Sequence, residues 1–160
     1  MWTLPHAFAM PHLPLRRRAA TVEAGVAVTA GGAAAVVVVV AAVIEQDGRL
    51  LVTRRLKGTH LAGLWEFPGG KCDPGEPHEA CLARELAEEL GVGSTIGDEL
   101  LVSEHTYPER RVRLHFRHAT ISGEPKPLLG QELMWIPRRN LGQLAFPEAD
   151  RELIELLSHE

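Results

Sequence analysis

The sequence has only two cysteines, Cys72 and Cys81, in 160 residues. Two are too few for a disulfide framework and offer no zinc-type cluster. Small packing residues are the simplest reading of both, and a reducing cytoplasm is the expected setting. An excess of positive charge is missing too. The formal net charge is −4, so general adhesion to a nucleic-acid polymer through a basic face is not expected. The eight histidines show no spacing typical of metal ligands. No internal repeat is present, and the length suits one compact domain rather than two. What remains, with 45% hydrophobic and 24% charged residues, is the composition of an ordinary soluble globular chain.

Charge is absent altogether from residues 24–44, which follow Arg16, Arg17 and Arg18. That length could span a bilayer, and the basic flank is similar to that of a signal segment. Against a membrane role, the first half is rich in Ala, Gly and Thr, which transfer poorly into lipid, and the second half is β-branched. Residues 36–44 therefore read as a buried first strand. Asp47-Gly48 then marks a hairpin turn, with residues 50–53 as the returning strand. Residues 1–34, with prolines at positions 5, 11 and 14, are expected to be a disordered or frayed extension, and residues 35–160 the domain.

A loop over residues 57–65 leads to Glu66-Phe67-Pro68-Gly69-Gly70, where Pro and two glycines break regular structure. Pro77 suits the first turn of a helix over residues 77–90. Leu82, Leu86 and Leu90 form its apolar stripe, and Gly91 is the expected terminator. Residues 99–107 and 132–136 read as strands. Val112, Leu114 and Phe116 alternate with Arg113, His115 and Arg117, the period of a half-buried strand. Residues 146–158 read as a closing amphipathic helix. The pattern predicts an α/β (α+β) sandwich, with helices flanking a mixed central sheet.

Glu85, Glu88 and Glu89 share one face of the predicted helix and lie near its negative end. Each like-charged neighbour costs a few tenths of a kcal/mol, and the helix dipole adds a comparable penalty. Arg84 offsets part of this by pairing with Glu88. A solvated acidic face is one reading. The other is a site for a hard divalent cation, which takes several oxygen ligands. Spacing alone leaves both open.

The surroundings separate them. From Gly70 the chain runs Gly70, Glu76, Arg84, Glu85, Leu86, Glu88, Glu89, Gly91, Val92, in the pattern G-x5-E-x7-R-E-L-x-E-E-x-G-V. This resembles the Nudix box throughout, and a chance match is on the order of one in ten million. Residues 64–71, Arg54-Arg55 with His60, and Phe146-Pro147-x-Ala149-Asp150 also look like segments of MutT-type Nudix hydrolases. The resemblance covers roughly residues 35–158 and implies a Nudix-type α/β/α sandwich. It implies that Glu85, Glu88 and Glu89, with the carbonyl of Gly69, hold Mg2+, for which Mn2+ can substitute. Arg84 would brace these glutamates, and Glu85, Glu88, Glu89 and Arg84 together would form the catalytic set. Glu76, Gly70 and Gly91 would shape the motif. Arg55 and His60 would meet phosphate oxygens, with Phe67 and Asp150 at the nucleobase.

Two positions depart from that pattern. Members of this type often carry a glutamate six residues before the tryptophan that Trp135 matches; here the position is Leu129, with Gln131 and Glu132 nearby. Glu85 is then the first choice of general base, and Glu132 the second. Asp150 stands where the best known member has an asparagine. An ionised Asp only accepts hydrogen bonds, whereas an amide also donates. The resemblance implies a monomeric or homodimeric pyrophosphohydrolase acting on a small-molecule nucleoside triphosphate, with 8-oxo-dGTP as favoured substrate. CTP, dCTP or a 5-modified dCTP is the alternative. An impaired nucleotide-binding module is the reading from another class.

Overall fold

A computed structural model describes residues 35–159 of the chain. The extension expected over residues 1–34 lies outside the described residues. The elements are β1 (Val36–Val43), β2 (Glu45–Gln46), β3 (Arg49–Arg54), β4 (Trp65–Glu66), β5 (Gly69–Lys71), α1 (His78–Leu90), β6 (Gly93–Tyr107), β7 (Arg110–Ser122), β8 (Glu132–Pro137) and α2 (Arg151–Ser158). They form two sheets. One is mixed, in the order β5-β1-β7-β6, with β1 parallel to β7. The other is antiparallel, with β3 bordered by β8 on one side and by β2 and β4 on the other.

The uninterrupted apolar run of β1 follows from burial on both faces. Val40, Ala42 and Ile44 pack with Cys81, Leu82, Leu86 and Leu90 of α1. Ala41 and Val43 face the opposite way, into a cluster with Phe67, Phe116 and α2 residues Leu153 and Leu157. A helix thus covers each side of the strand, as expected of the sandwich. Residues 36–43 of the uncharged stretch are committed to this sheet. Among the described residues, no helix is long and apolar enough to cross a membrane.

Four local expectations need correction. Asp47 and Gly48 do form a tight turn, with φ of 51° and 72°, but β3 pairs with Glu45–Gln46 rather than with the valine run. The chain crosses between sheets at Ile44, so the long strand and the hairpin are separate. The last helix begins at Arg151, after a 3-10 turn at Glu148–Asp150, because Pro147 disfavours helical backbone at Phe146. The strand expected over residues 99–107 starts earlier, at Gly93, and pairs along β7 with register shifts around Glu99. Finally, Cys72 and Cys81 are joined as a disulfide with Cα atoms 5.4 Å apart. The fold brings the end of β5 against the first turns of α1, so the two cysteines are cross-link partners as well as packing groups.

Leu82, Leu86 and Leu90 are wholly buried, whereas Leu156 on α2 is 39% exposed. Leu82→Ala should therefore cost about 2–5 kcal/mol, and Leu156→Ala less than about 1 kcal/mol. Urea unfolding of the two variants beside the parent checks this.

Candidate active site

Helix α1 starts directly after Pro77 and ends at Gly91, whose left-handed φ of 67° lets its N–H reach the Ala87 carbonyl at 3.1 Å. The carbonyls left over at this end are met by the segment before β8. Lys126 and Leu128 donate backbone N–H groups to the Leu90 and Glu89 carbonyls, and Gln131 Nε2 donates to the Glu89 carbonyl. This capping is how an acidic helix end holds together despite its dipole.

Strand β5 is packed closely on both sides, against β1 at Gly69 and against the Glu85 side chain of α1 at Gly70. A Cβ at Gly69 would overlap the Val40 carbonyl oxygen, and one at Gly70 would collide with the Glu85 carboxylate. Glu85 is 9% exposed and lies in the angle between helix and strand. Arg84 holds it there. The guanidinium bonds Glu76 through Nε at 2.9 Å and a terminal nitrogen at 3.0 Å, and its other terminal nitrogen reaches Glu85 at 2.9 Å and Glu88 at 3.5 Å. Glu76 accepts a further bond from the Asp73 N–H at 3.1 Å, which fastens the loop before α1 to the helix. Arg84 depresses the Glu76 carboxyl below the usual carboxylate range.

The remaining carboxylates are not so compensated. Burial pushes Glu85 up, against the pull of Arg84, with Glu88 and Glu76 adding to the rise. Glu89 is pushed well above the ordinary range by burial and by Glu85 and Glu66, against a hydrogen bond from the Gly69 backbone. Glu88 is the outward member, its side chain 51% exposed. Two of the three helix acids thus sit in a concentration of negative charge that Arg84, shared among Glu76, Glu85 and Glu88, offsets only in part. A hard divalent ion with oxygen ligands fits this deficit.

A cleft of about 840 Å³ adjoins Gly69, Gly70, Glu76 and Glu85 and continues past Arg55, His60, Phe67 and Asp150. Arg55 is firmly held, donating through Nε to the His60 carbonyl and through one terminal nitrogen to Glu66, both at 2.6 Å. Neither bond uses its second terminal nitrogen. The His60 ring stands edge-on to Tyr107 at 5.1 Å, and its Nε2 is buried without a hydrogen-bond partner. Burial, Arg110 and Arg55 lower its pKa, which favours the neutral imidazole. Phe67 is only 4% exposed, edge-on to Phe116 and stacked on Phe146 at 5.5 Å. It belongs to the core as much as to the cleft wall.

Sequence reasoning missed Glu66. Its carboxylate pairs with Arg55, and its charge raises both Glu89 and Asp150. The only sequence signal was an acid between two aromatic residues at the start of the glycine turn. Leu129, where a glutamate was wanted, is 42% exposed in a turn. Glu132 faces Arg54 across the β3–β8 pair at 3.4 Å, and Gln131 is occupied in capping α1.

Asp150 is 4% exposed, and burial, reinforced by Glu66 and opposed by Arg55, pushes its carboxyl from the ordinary 3.8 up to about 7. Between those values the folded chain keeps a proton that an unfolded chain has released. Folding stability from this group therefore falls as pH rises from about 4 to 7 and stays low above it. Asp150→Asn, which cannot ionise, should raise the Tm by several degrees at pH 8 and leave it nearly unchanged at pH 4, as measured by calorimetry at the two pH values.

The comparisons with known proteins agree with this geometry. A family model described as NUDIX domain matches residues 39–156. The CTP pyrophosphohydrolase of Escherichia coli (strain K12) is 36% identical over 113 residues, covering 70% of this chain and 84% of its own length. The 8-oxo-dGTP diphosphatase of Haemophilus influenzae is 36% identical over 114 residues, covering 71% and 84%. The crystal structure of MutT NUDIX hydrolase from Burkholderia pseudomallei superposes with a TM-score of 0.68 at 32% identity, over 76% of this chain and 97% of that one.

Proposed function

This chain belongs to the NUDIX domain family, and on that premise we propose that it is a Mg2+-dependent pyrophosphohydrolase converting nucleoside triphosphates to monophosphate and pyrophosphate, with 8-oxo-dGTP as the favoured substrate. One observation carries the reading: Glu85, buried against Gly70 and steered by Arg84, opens onto the same cleft as Arg55, His60 and Asp150. A polyphosphate needs that combination of carboxylates, cation and cleft.

In this scheme Glu85, Glu88 and Glu89, with the Gly69 carbonyl, would hold Mg2+ or Mn2+. Bound there, the ion supplies charge neutralisation at the phosphates and acidifies a coordinated water. Glu85, which lines the cleft, would accept the proton of the attacking water. Arg84 fixes its direction. Arg55, already braced by Glu66, offers its second terminal nitrogen to a phosphate oxygen, and His60 in its neutral form contributes a hydrogen bond without adding charge. The substrate is a free nucleotide. We take the working form to be a monomer or homodimer in the cytoplasm, where reducing conditions would keep Cys72 and Cys81 as a neighbouring dithiol.

Cytosine triphosphates form the second reading. The two relatives named above share the same identity with this chain while carrying different substrate names, CTP and 8-oxo-dGTP. Asp150, pushed up to about 7, can accept from an exocyclic amino group when ionised and donate when protonated. Steady-state assays on a triphosphate panel separate the readings. Higher kcat/KM for 8-oxo-dGTP than for dGTP supports the first, and equal values remove it. A preference for CTP or dCTP supports the second. Absence of pyrophosphate release with either Mg2+ or Mn2+ across the panel would leave a binding module, for which Leu129 is the one favourable feature.

Glu85→Gln should lower kcat by about 10^2 to 10^4 while the fold is kept or slightly stabilised, because Gln removes the repulsion and retains an acceptor for Arg84. Parallel measurement of kcat and Tm tests this, and wild-type turnover would exclude the assigned role.

A further inference from the structure

A second cluster, built on the first residue of α1 and on two strands, gathers donors of a different kind. His78 opens α1, Glu99 lies on β6 and His115 on β7, and one ligand atom from each lies within 4.8 Å of the other two. We propose that these three residues form a second metal site, taking a borderline divalent transition ion of the zinc class rather than Mg2+.

Histidines at positions 78 and 115 have no ligand spacing in the sequence; the fold creates it. Glu99 sits between two register shifts of the β6–β7 pair, where a bulge re-aims a side chain out of simple alternation. Its Oε2 meets His115 Nδ1 at 2.8 Å, and the His78 ring lies 4.3 Å from that of His115, tilted by 56°. His115 is 13% exposed and Glu99 39%. One imidazole is therefore held by packing, while the carboxylate can adjust and water can reach the remaining coordination positions. A tetrahedral ion with bonds of about 2.1 Å keeps its donors about 3.4 Å apart. Even the widest pair allowed by the 4.8 Å limit needs to close by only roughly 1.4 Å.

Neighbouring charge argues for donor chemistry rather than electrostatics as the source of affinity. Arg113 and Arg117 flank His115 on the same face of β7. Each is engaged, Arg113 with Glu104 at 2.7 Å, and Arg117 with Glu79 at 3.0 Å and the Gly97 carbonyl at 3.0 Å. The positive end of α1 disfavours a cation at His78, and Glu79 in the first turn counters it. Two imidazoles and one carboxylate suit zinc, cobalt or nickel, whereas Mg2+ prefers an all-oxygen shell. The site shares no ligand with the carboxylate cluster. His78 precedes Glu85 by two helical turns, about 10 Å along the axis. A bound ion would tie the start of α1 to β6 and β7.

The test is titration of the chelator-treated full chain with Co2+ in excess Mg2+, following visible absorbance and Tm. One equivalent of Co2+ should develop a band, be displaced by Zn2+ and raise the Tm. His115→Ala, His78→Ala and the milder Glu99→Gln should each weaken binding at least about tenfold, with circular dichroism confirming the fold. Glu85→Gln should bind as the parent does. Absence of a stoichiometric band in the parent, or undiminished binding in both histidine variants, overturns the site. So does loss of binding in Glu85→Gln.

Discussion

The structure turns on the close approach of α1 to β5, where Glu85 occupies the space that a side chain at Gly70 would need. That contact is possible only because two glycines let β5 lie against β1 on one side and against the helix on the other. It is held by Arg84, which joins the loop acid Glu76 to the helix acids through one guanidinium. The apolar stripe of Leu82, Leu86 and Leu90 fixes the helix on β1, and the 126–131 segment caps its acidic end. Packing energy from the stripe is thus spent on keeping carboxylates near one another in a poorly solvated angle. An isolated helix would not hold them there.

The catalytic proposal follows from how charge is distributed across the cleft. Glu85 and Glu66 line it and act together on Glu89, with Arg84 and Arg55 as the nearby cations. Asp150 is buried in the same cleft, where burial and Glu66 push its carboxyl up to about 7 against the pull of Arg55. In the proposed reading a nucleoside triphosphate and its divalent ion would lie with phosphates toward α1 and base toward Asp150. His60, its neutral form favoured and one ring nitrogen unpartnered, lies along the same cleft.

Much of this was readable in the sequence because it depends on local chemistry. The leucine stripe, the proline before α1 and the glycine after it gave the helix, and the Nudix-like spacing gave the residues that surround Glu85. What escaped depended on contacts between distant segments. Nothing near residue 44 signals that the valine run leaves the hairpin's sheet. Cys72 and Cys81 meet only because β5 packs on α1. Glu66 acquires its role from Arg55 and the helix acids, and His78 meets His115 through a bulged strand pair 37 residues away. Two positions read from the resemblance look different in place. Phe67 is core as well as cleft wall, and Glu88 is more exposed than Glu85 and Glu89.

The central claim is that a divalent cation balances the helix carboxylates. Electron paramagnetic resonance of free Mn2+, titrated into the protein without nucleotide, tests it most directly. The account predicts a site in the parent that Glu85→Gln and Glu89→Gln each weaken by at least about tenfold, while Glu132→Gln leaves it unchanged. Equal Mn2+ affinity in the parent and both helix variants would contradict it.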